Sequence, residues 1–261
     1  MSLTPEIAAR VEREKASHEG DDVLARAYAL KDRFSHVWTI TDRVRTDENA
    51  IMQAAKGKKV LDYGCGRGEY SLELLHLGAD VEGIDISQVY VDKAAAACRA
   101  EGYDEKRFHF QVMDAHKLTF PDNSFDFVVG NGILHHLDYQ TAFAEIHRVL
   151  KPGGRAIFQE PLSGNPLLGL LRAATPSART EDERPFSSHD LRQIARDWDV
   201  QSSYYGLLSA PVAFLTSLIL RPWPNNLLVR AAAWTEKQIS KAGLLRSWNQ
   251  YVLFNLVKPQ N

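Results

Sequence analysis

A chain of 261 residues, 44% of them hydrophobic, can bury a full core as one large α/β domain or two small ones, without covalent staples. Its 31 basic and 33 acidic side chains nearly cancel to a formal charge of −2, which argues against a general nucleic-acid binder. Two cysteines, Cys65 and Cys98, are too few for a disulfide framework or a zinc site, and no metal is expected. The first twenty residues mix acids with bases and hold no apolar run. They do not read as a signal peptide, and a cytoplasmic location is expected by default.

Residues 5–34 read as one or two polar helices with a sparse apolar stripe, broken at Gly20-Asp21-Asp22. Residues 1–50 are expected to form a helical cap, from which Tyr28, Phe34, His36, Trp38 and Arg43 could close over a ligand. From Lys58 the pattern changes to alternating strands and helices, the signature of βαβ units. Val60 and Leu61 lead into Asp62, and Gly64, Gly66 and Gly68 then alternate with larger residues before a helical pattern from Tyr70 to Leu77. Strand, glycine turn and helix is the layout in which a nucleotide-like ligand meets the carboxyl end of a parallel strand. The spacing is G-x-G-x-G, not the G-x-G-x-x-G of pyrophosphate binders. Asp62, expected at the mouth of the turn, and Glu69 would repel a pyrophosphate and suit an ammonium or sulfonium.

A second strand, 79–85, ends in Asp85 about twenty residues past the turn, where an acid accepts hydrogen bonds from a ribose diol. Ser87 remains available to cap the alanine-rich helix 88–101, which Gly102 ends. The third strand, 108–114, finishes in Asp114, so three successive strands place acids at one sheet edge. The Pro121-Asp122-Asn123 turn opens a fourth strand that runs into a loop carrying Asn131, His135 and His136. Asp138 is the expected cap of helix 139–150, and Lys151-Pro152-Gly153-Gly154 separates that helix from a fifth strand, 155–161.

These features together resemble the class I S-adenosylmethionine-dependent methyltransferases, whose first motif is an acid followed by G-x-G-x-G. The stretch 125–137 and the L-K-P-G-G ending are similar to those of the ubiquinone/menaquinone-biosynthesis group and its relatives (methyltransferase type 11). The resemblance covers about residues 57–161. It implies a Rossmann-like, doubly wound sheet of seven strands, mostly parallel with an antiparallel last strand, in a domain spanning 51–261. It implies S-adenosyl-L-methionine as cofactor, held by Asp62, Gly64, Gly66, Gly68, Asp85, Ile86, Asp114, Ala115 and Asn131, with Asp114 and Ala115 taking the adenine amino group. In-line methyl transfer to an oxygen, nitrogen or carbon asks the protein mainly for alignment, and a hydroxyl acceptor also needs a base. His135 and His136 are the candidate bases, with Glu160 behind them.

Residues 162–186 form a connection longer than a core needs, hence a substrate-covering segment. Ser187 begins a helix through Leu191, Ile194 and Trp198, while 200–208 and 250–259 read as the sixth and seventh strands. Between them, 209–220 is apolar but too short to span a bilayer, and 203–258 carries six basic residues against one acid, Glu236. The segment 209–247 could lie on a membrane surface, receive a lipid-like or anionic substrate, or be two helices that cover the sheet with their bases facing water. An NAD(P)-dependent oxidoreductase would share the turn and Asp85. It normally has an apolar residue where Asp62 stands, and no Tyr-x-x-x-Lys follows the fourth strand here. A non-catalytic S-adenosylmethionine-binding protein is the other alternative, and the oligomeric state is open.

Overall fold

Strands buried on both faces need apolar residues at consecutive positions, and Val60-Leu61 and Val128-Val129 supply them in two adjacent strands. The computed structural model describes residues 35–166, 183–220, 222–243 and 245–260, with Ala9, Arg13 and Gly169 besides. Apart from Ala9 and Arg13, the helices expected over 5–34 lie outside the described residues, as does most of the 162–186 connection.

Eight strands form one sheet: β1 (Lys59–Tyr63), β2 (Asp80–Asp85), β3 (Phe108–Val112), β4 (Phe125–Asn131), β5 (Leu150–Pro161), β6 (Asp199–Val200), β7 (Ser203–Tyr205) and β8 (Tyr251–Val257). Their order is β3-β2-β1-β4-β5-β8-β6, with β7 also on β8. β1 to β5 run parallel, and β8 lies antiparallel to β5. Seven helices are described: α1 (Trp38–Met52), α2 (Glu69–His76), α3 (Gln88–Ala100), α4 (Tyr139–Val149), α5 (Ser188–Asp197), α6 (Ser209–Ile219) and α7 (Leu227–Lys241). One face of the sheet buries Leu61, Val128 and Phe158 against Ile146 of α4 and Ile194 of α5. The other buries Val60, Val129 and Ile157 against Val44 of α1 and Leu74 of α2. Strand order reverses between β1 and β4, and the crevice outside the carboxyl ends of these two strands is where such sheets bind ligands.

Three expectations are corrected. The expected sixth strand is two short pieces, making eight strands where seven were anticipated. Both pieces keep one register on β8, with Asp199 opposite Val257 and Ser203 opposite Leu253, so Gln201-Ser202 interrupts the ladder without changing the topology. The Lys151-Pro152-Gly153-Gly154 run, expected as a stop, is drawn into β5, which starts at Leu150 opposite Phe125; the register then shifts before the regular ladder at Arg155. His36 and Arg43 do not turn toward the crevice. His36 is buried, with Nδ1 2.9 Å from Thr216 Oγ1, and Arg43 donates to Ser209 Oγ at 2.7 Å and pairs with Glu236 at 3.4 Å. They fasten α1 to α6 and α7.

Candidate functional site

The glycine turn is pinned to its neighbouring strand. Gly64 and Cys65 both donate their N–H to Ile84 O, at 2.9 and 2.8 Å. Gly68 opens α2 at φ +89°, and a Cβ there would stand 2.8 Å from Ala94 Cα in α3. Only glycine satisfies both conditions. At Gly66 a Cβ would meet nothing within 4 Å, so the turn faces open space.

Asp85 ends β2 and links the turn to α3: Oδ2 accepts from Gly66 N at 3.0 Å and Oδ1 from Ser87 N at 2.9 Å. Ile86, half-buried, lies between Asp85 and Ser87, and Ser87 caps α3 as anticipated. These two bonds orient the Asp85 carboxylate at the turn. Asp62 differs from expectation. It is buried beneath the turn and not at its mouth, and Ser71 Oγ donates to it at 2.5 Å. Burial pushes its pKa up to about 7, against the Ser71 bond, and the negative charges of Asp85 and Glu48 add to the rise. Glu48 of α1 is buried nearby, accepts from Tyr70 Oη at 2.7 Å, and is also raised to about 7 by burial. The sequence gives no sign of this second acid, because only tertiary packing brings α1 under the turn.

Past β3, Asp114 Oδ1 accepts from His116 N at 2.8 Å and meets His116 Nδ1 at 2.8 Å. Asp138 N donates to His116 Nε2 at 3.0 Å, so the ring proton belongs on Nδ1, facing Asp114. Hydrogen bonds from His116 outweigh burial and hold the Asp114 carboxyl below its usual range. Tyr63 donates its hydroxyl to Ala115 O, tying the end of β1 to this loop.

At the ends of β4 and β5, Asn131 is exposed and pairs in register with Gln159. Glu160 is buried. Its oxygens accept from Ile133 N at 3.0 Å, Leu134 N at 2.8 Å and His135 N at 3.3 Å, the start of a short 3₁₀ turn. His135 Nδ1 lies 2.7 Å from Glu160 Oε2. Three backbone N–H groups and the His135 ring thus converge on the Glu160 carboxylate. An acceptor carboxylate on Nδ1 leaves the lone pair on Nε2. The His136 ring lies tilted by 42° against that of His135, 4.1 Å centroid to centroid. Glu183, which the sequence does not single out beyond its place in the long connection, brings a carboxylate oxygen within 4.8 Å of one nitrogen on each ring, a group that could hold a metal ion. The next residue, Arg184, donates its N–H to His135 O at 2.8 Å, so the described end of that connection closes on the histidine turn.

All the anticipated positions thus gather at one sheet edge, in three groups: the turn with Asp62, Asp85 and Ile86; Asp114 with Ala115; and Asn131 with the histidines. The arrangement fits a cationic nucleoside. A buried carboxylate with no cation paired to it among the described residues stands under a turn open to a ligand, and orienting acids lie along the rim.

Residues 61–158 match the family described as methyltransferase domain. The matched stretch runs from β1 into β5 and holds the glycine turn, Asp85, Asp114 and Asn131. The chain is 35% identical over 133 residues to the O-methyltransferase cnsE of Penicillium expansum, covering 49% of this chain and 46% of that protein. It is 37% identical over 121 residues to the demethylmenaquinone methyltransferase of Geobacillus stearothermophilus, covering 44% and 50%. The matched stretch therefore spans about half the length of these relatives. The crystal structure of the [4+2]-cyclase SpnF superposes with a TM-score of 0.55 at 23% identity, covering 81% of this chain and 80% of that one, a likeness of fold alone.

Proposed function

We propose that this chain transfers a methyl group from S-adenosylmethionine to an oxygen, nitrogen or carbon of a small or lipid-like acceptor, a hydroxyl being the acceptor best matched to the site. The observation that carries the hydroxyl reading is the Glu160–His135 contact of 2.7 Å beside the switch point. Bound at the turn, S-adenosylmethionine supplies an activated methyl group on a sulfonium. Asp85 and the Gly66 turn would hold the ribose, Asp114 and Ala115 the adenine, and Asn131 the neighbouring edge. Asp62 would balance the positive charge from below. Glu160 fixes the His135 ring, and His135 takes the acceptor proton at Nε2. His136 packs against that ring and is the alternative base. The relative named for demethylmenaquinone supports a lipid-like acceptor. With it goes a cytoplasmic protein carrying a helical cap over 1–50, acceptor-covering segments at 162–186 and 209–247, and a peripheral membrane contact.

The test is to supply labelled cofactor with fractionated cell extract, identify the methylated acceptor, and assay His135→Ala and His136→Ala on it. General-base catalysis is worth at least about a hundredfold, so one variant should lose that much turnover while retaining cofactor affinity. Activity should survive a chelator. Normal turnover in both variants would place the base elsewhere, loss of activity on chelation would make the histidines and Glu183 a metal centre, and cofactor binding without transfer to any fraction would favour a non-catalytic protein. Tight NADPH binding in place of S-adenosylhomocysteine would favour an oxidoreductase.

A further inference from the structure

Among the described residues, most of the exposed large apolar side chains fall within a single stretch. Leu215, Leu218, Ile219, Trp223, Leu227, Leu228, Trp234, Leu245 and Trp248 all lie in residues 209–248. The helices there are turned against their composition. α6 buries Ser209, Ala213, Thr216 and Ser217, while Leu218 and Ile219 are 52% and 78% exposed. α7 buries Val229, Glu236 and Ser240, while Leu227 and Trp234 are 75% and 68% exposed.

The inward polar groups are not misplaced. Thr216 meets His36 Nδ1, and Ser217 Oγ accepts from His36 N at 3.2 Å. Buried Glu236 caps the start of α6, accepting from Leu208 N at 3.0 Å and from Ser209 N at 2.9 Å. These bonds fix the rotation of both helices and leave Leu215, Leu218, Ile219, Leu227, Leu228 and Trp234 outward, with only Ala210, Ala213 and Val229 as buried apolar side chains. An ordinary surface helix does the reverse.

The charge on that outward face has one sign. Between Ser209 and Gln250 the sequence has one acid, Glu236, and it is the buried cap. Arg230, Lys237 and Lys241 are exposed, and they follow Leu227 at intervals of three, ten and fourteen residues, along the stripe that also carries Trp234. An apolar crest of leucine, isoleucine and tryptophan backed by a basic stripe complements an anionic bilayer surface.

We infer that the α6–α7 crest seats on an anionic lipid bilayer, with Ile219, Trp223 and Leu227 in the headgroup–acyl boundary and Arg230, Lys237 and Lys241 against the phosphates. α6 has 11 residues, and no helix among the described residues is long and apolar enough to cross a membrane, so the contact is peripheral. The crest leaves the sheet beside the candidate site. Tyr205, four residues before α6, pairs with Tyr251, which pairs with Pro161, the neighbour of Glu160. A seated crest therefore brings the bilayer to the edge where an acceptor enters. The inference rests on exposure and charge, not on the reaction assigned above.

The full chain is tested by co-sedimentation with vesicles of phosphatidylcholine alone and of phosphatidylcholine mixed with phosphatidylglycerol, and by tryptophan emission. The expected result is binding to the mixed vesicles with a blue shift, weakened by salt and at least roughly tenfold weaker on neutral vesicles. Ile219→Ser with Leu227→Ser, at exposed positions, should keep the wild-type melting temperature and S-adenosylhomocysteine affinity while losing at least roughly tenfold in vesicle binding. No binding to mixed vesicles, equal binding to neutral ones, or a dimer whose association the double variant abolishes in place of vesicle binding would overturn the inference.

Discussion

Asp62 offers the sharpest link between the fold and ligand charge. Its carboxyl is buried, has no cationic partner among the described residues, and is pushed by that burial up to a pKa of about 7. A sulfonium or ammonium brought to the turn would favour the ionised form, so binding should release a proton wherever the free protein holds Asp62 protonated. At pH 5.5 about 3% of a group with a pKa of about 7 is ionised, and at pH 7 about half. Affinity for S-adenosylhomocysteine, whose amino group stays charged over this range, should therefore rise roughly fifteenfold, about 1.6 kcal/mol, across that interval. The same group has a stability signature of definite sign. A carboxyl raised in the folded state stabilises it fully below the unfolded value near 3.8 and loses that contribution as pH climbs toward 7. Ionising it at pH 8 costs up to about 4 kcal/mol, at about 1.4 kcal/mol per unit. Asp62→Asn keeps the shape and can still accept from Ser71. It should melt higher than wild type above pH 7, bind the nucleoside more weakly, and lose the pH slope. Glu48→Gln, which removes the other carboxyl raised to about 7, should keep the slope. The assay is titration calorimetry from pH 5.5 to 7. Flat wild-type affinity, or a slope surviving in Asp62→Asn, would refute the coupling.

Two further outcomes follow from the geometry. Gly68→Ala combines an unfavourable backbone angle with a 2.8 Å approach to Ala94 and should cost roughly 1–3 kcal/mol in denaturant unfolding; a loss below about 0.5 kcal/mol would show that α2 and α3 can part freely. Glu160→Gln weakens a charged acceptor that serves three backbone N–H groups and His135, bonds worth about 1.5–3 kcal/mol, so turnover should fall roughly 10- to 100-fold with cofactor affinity unchanged. Equal losses in both would mean that Glu160 supports only the loop.

What could be read in the sequence was carried by neighbouring residues. Ser187 with Asp190 and Asp138 with Thr141 are caps completed within three positions, and both helices start where those residues stand. The glycine turn and the acids at the strand tips are equally local, so the β1–β5 half of the sheet and the rim of the site were legible. Features decided by distant packing were not. Nothing near Glu48 marks it as the buried neighbour of Asp62, and nothing near His36 marks Thr216 as its partner 180 residues away. Strand end and turn mouth look alike in one dimension, so in the sequence Asp62 has the aspect of an open charge. Its inward direction depends on α2 presenting Ser71. Lys151-Pro152-Gly153-Gly154 carries every sign of an irregular stop, yet pairing of Leu150 with Phe125 extends the strand through it. The exposed crest of α6 was legible as composition only, since the rotation of that helix is set by Glu236 and His36 from other elements.

The measurement that bears most directly on the nucleoside socket is calorimetric titration of S-adenosylhomocysteine into the wild-type protein and into Asp85→Ala, with melting temperatures recorded for both. Asp85 both orients the Gly66 turn and lies where the ribose diol would meet it. We expect one-site binding in the wild type and none detectable in the variant, which should remain folded. Unchanged affinity in a folded Asp85→Ala protein would contradict the assignment of the socket to this sheet edge.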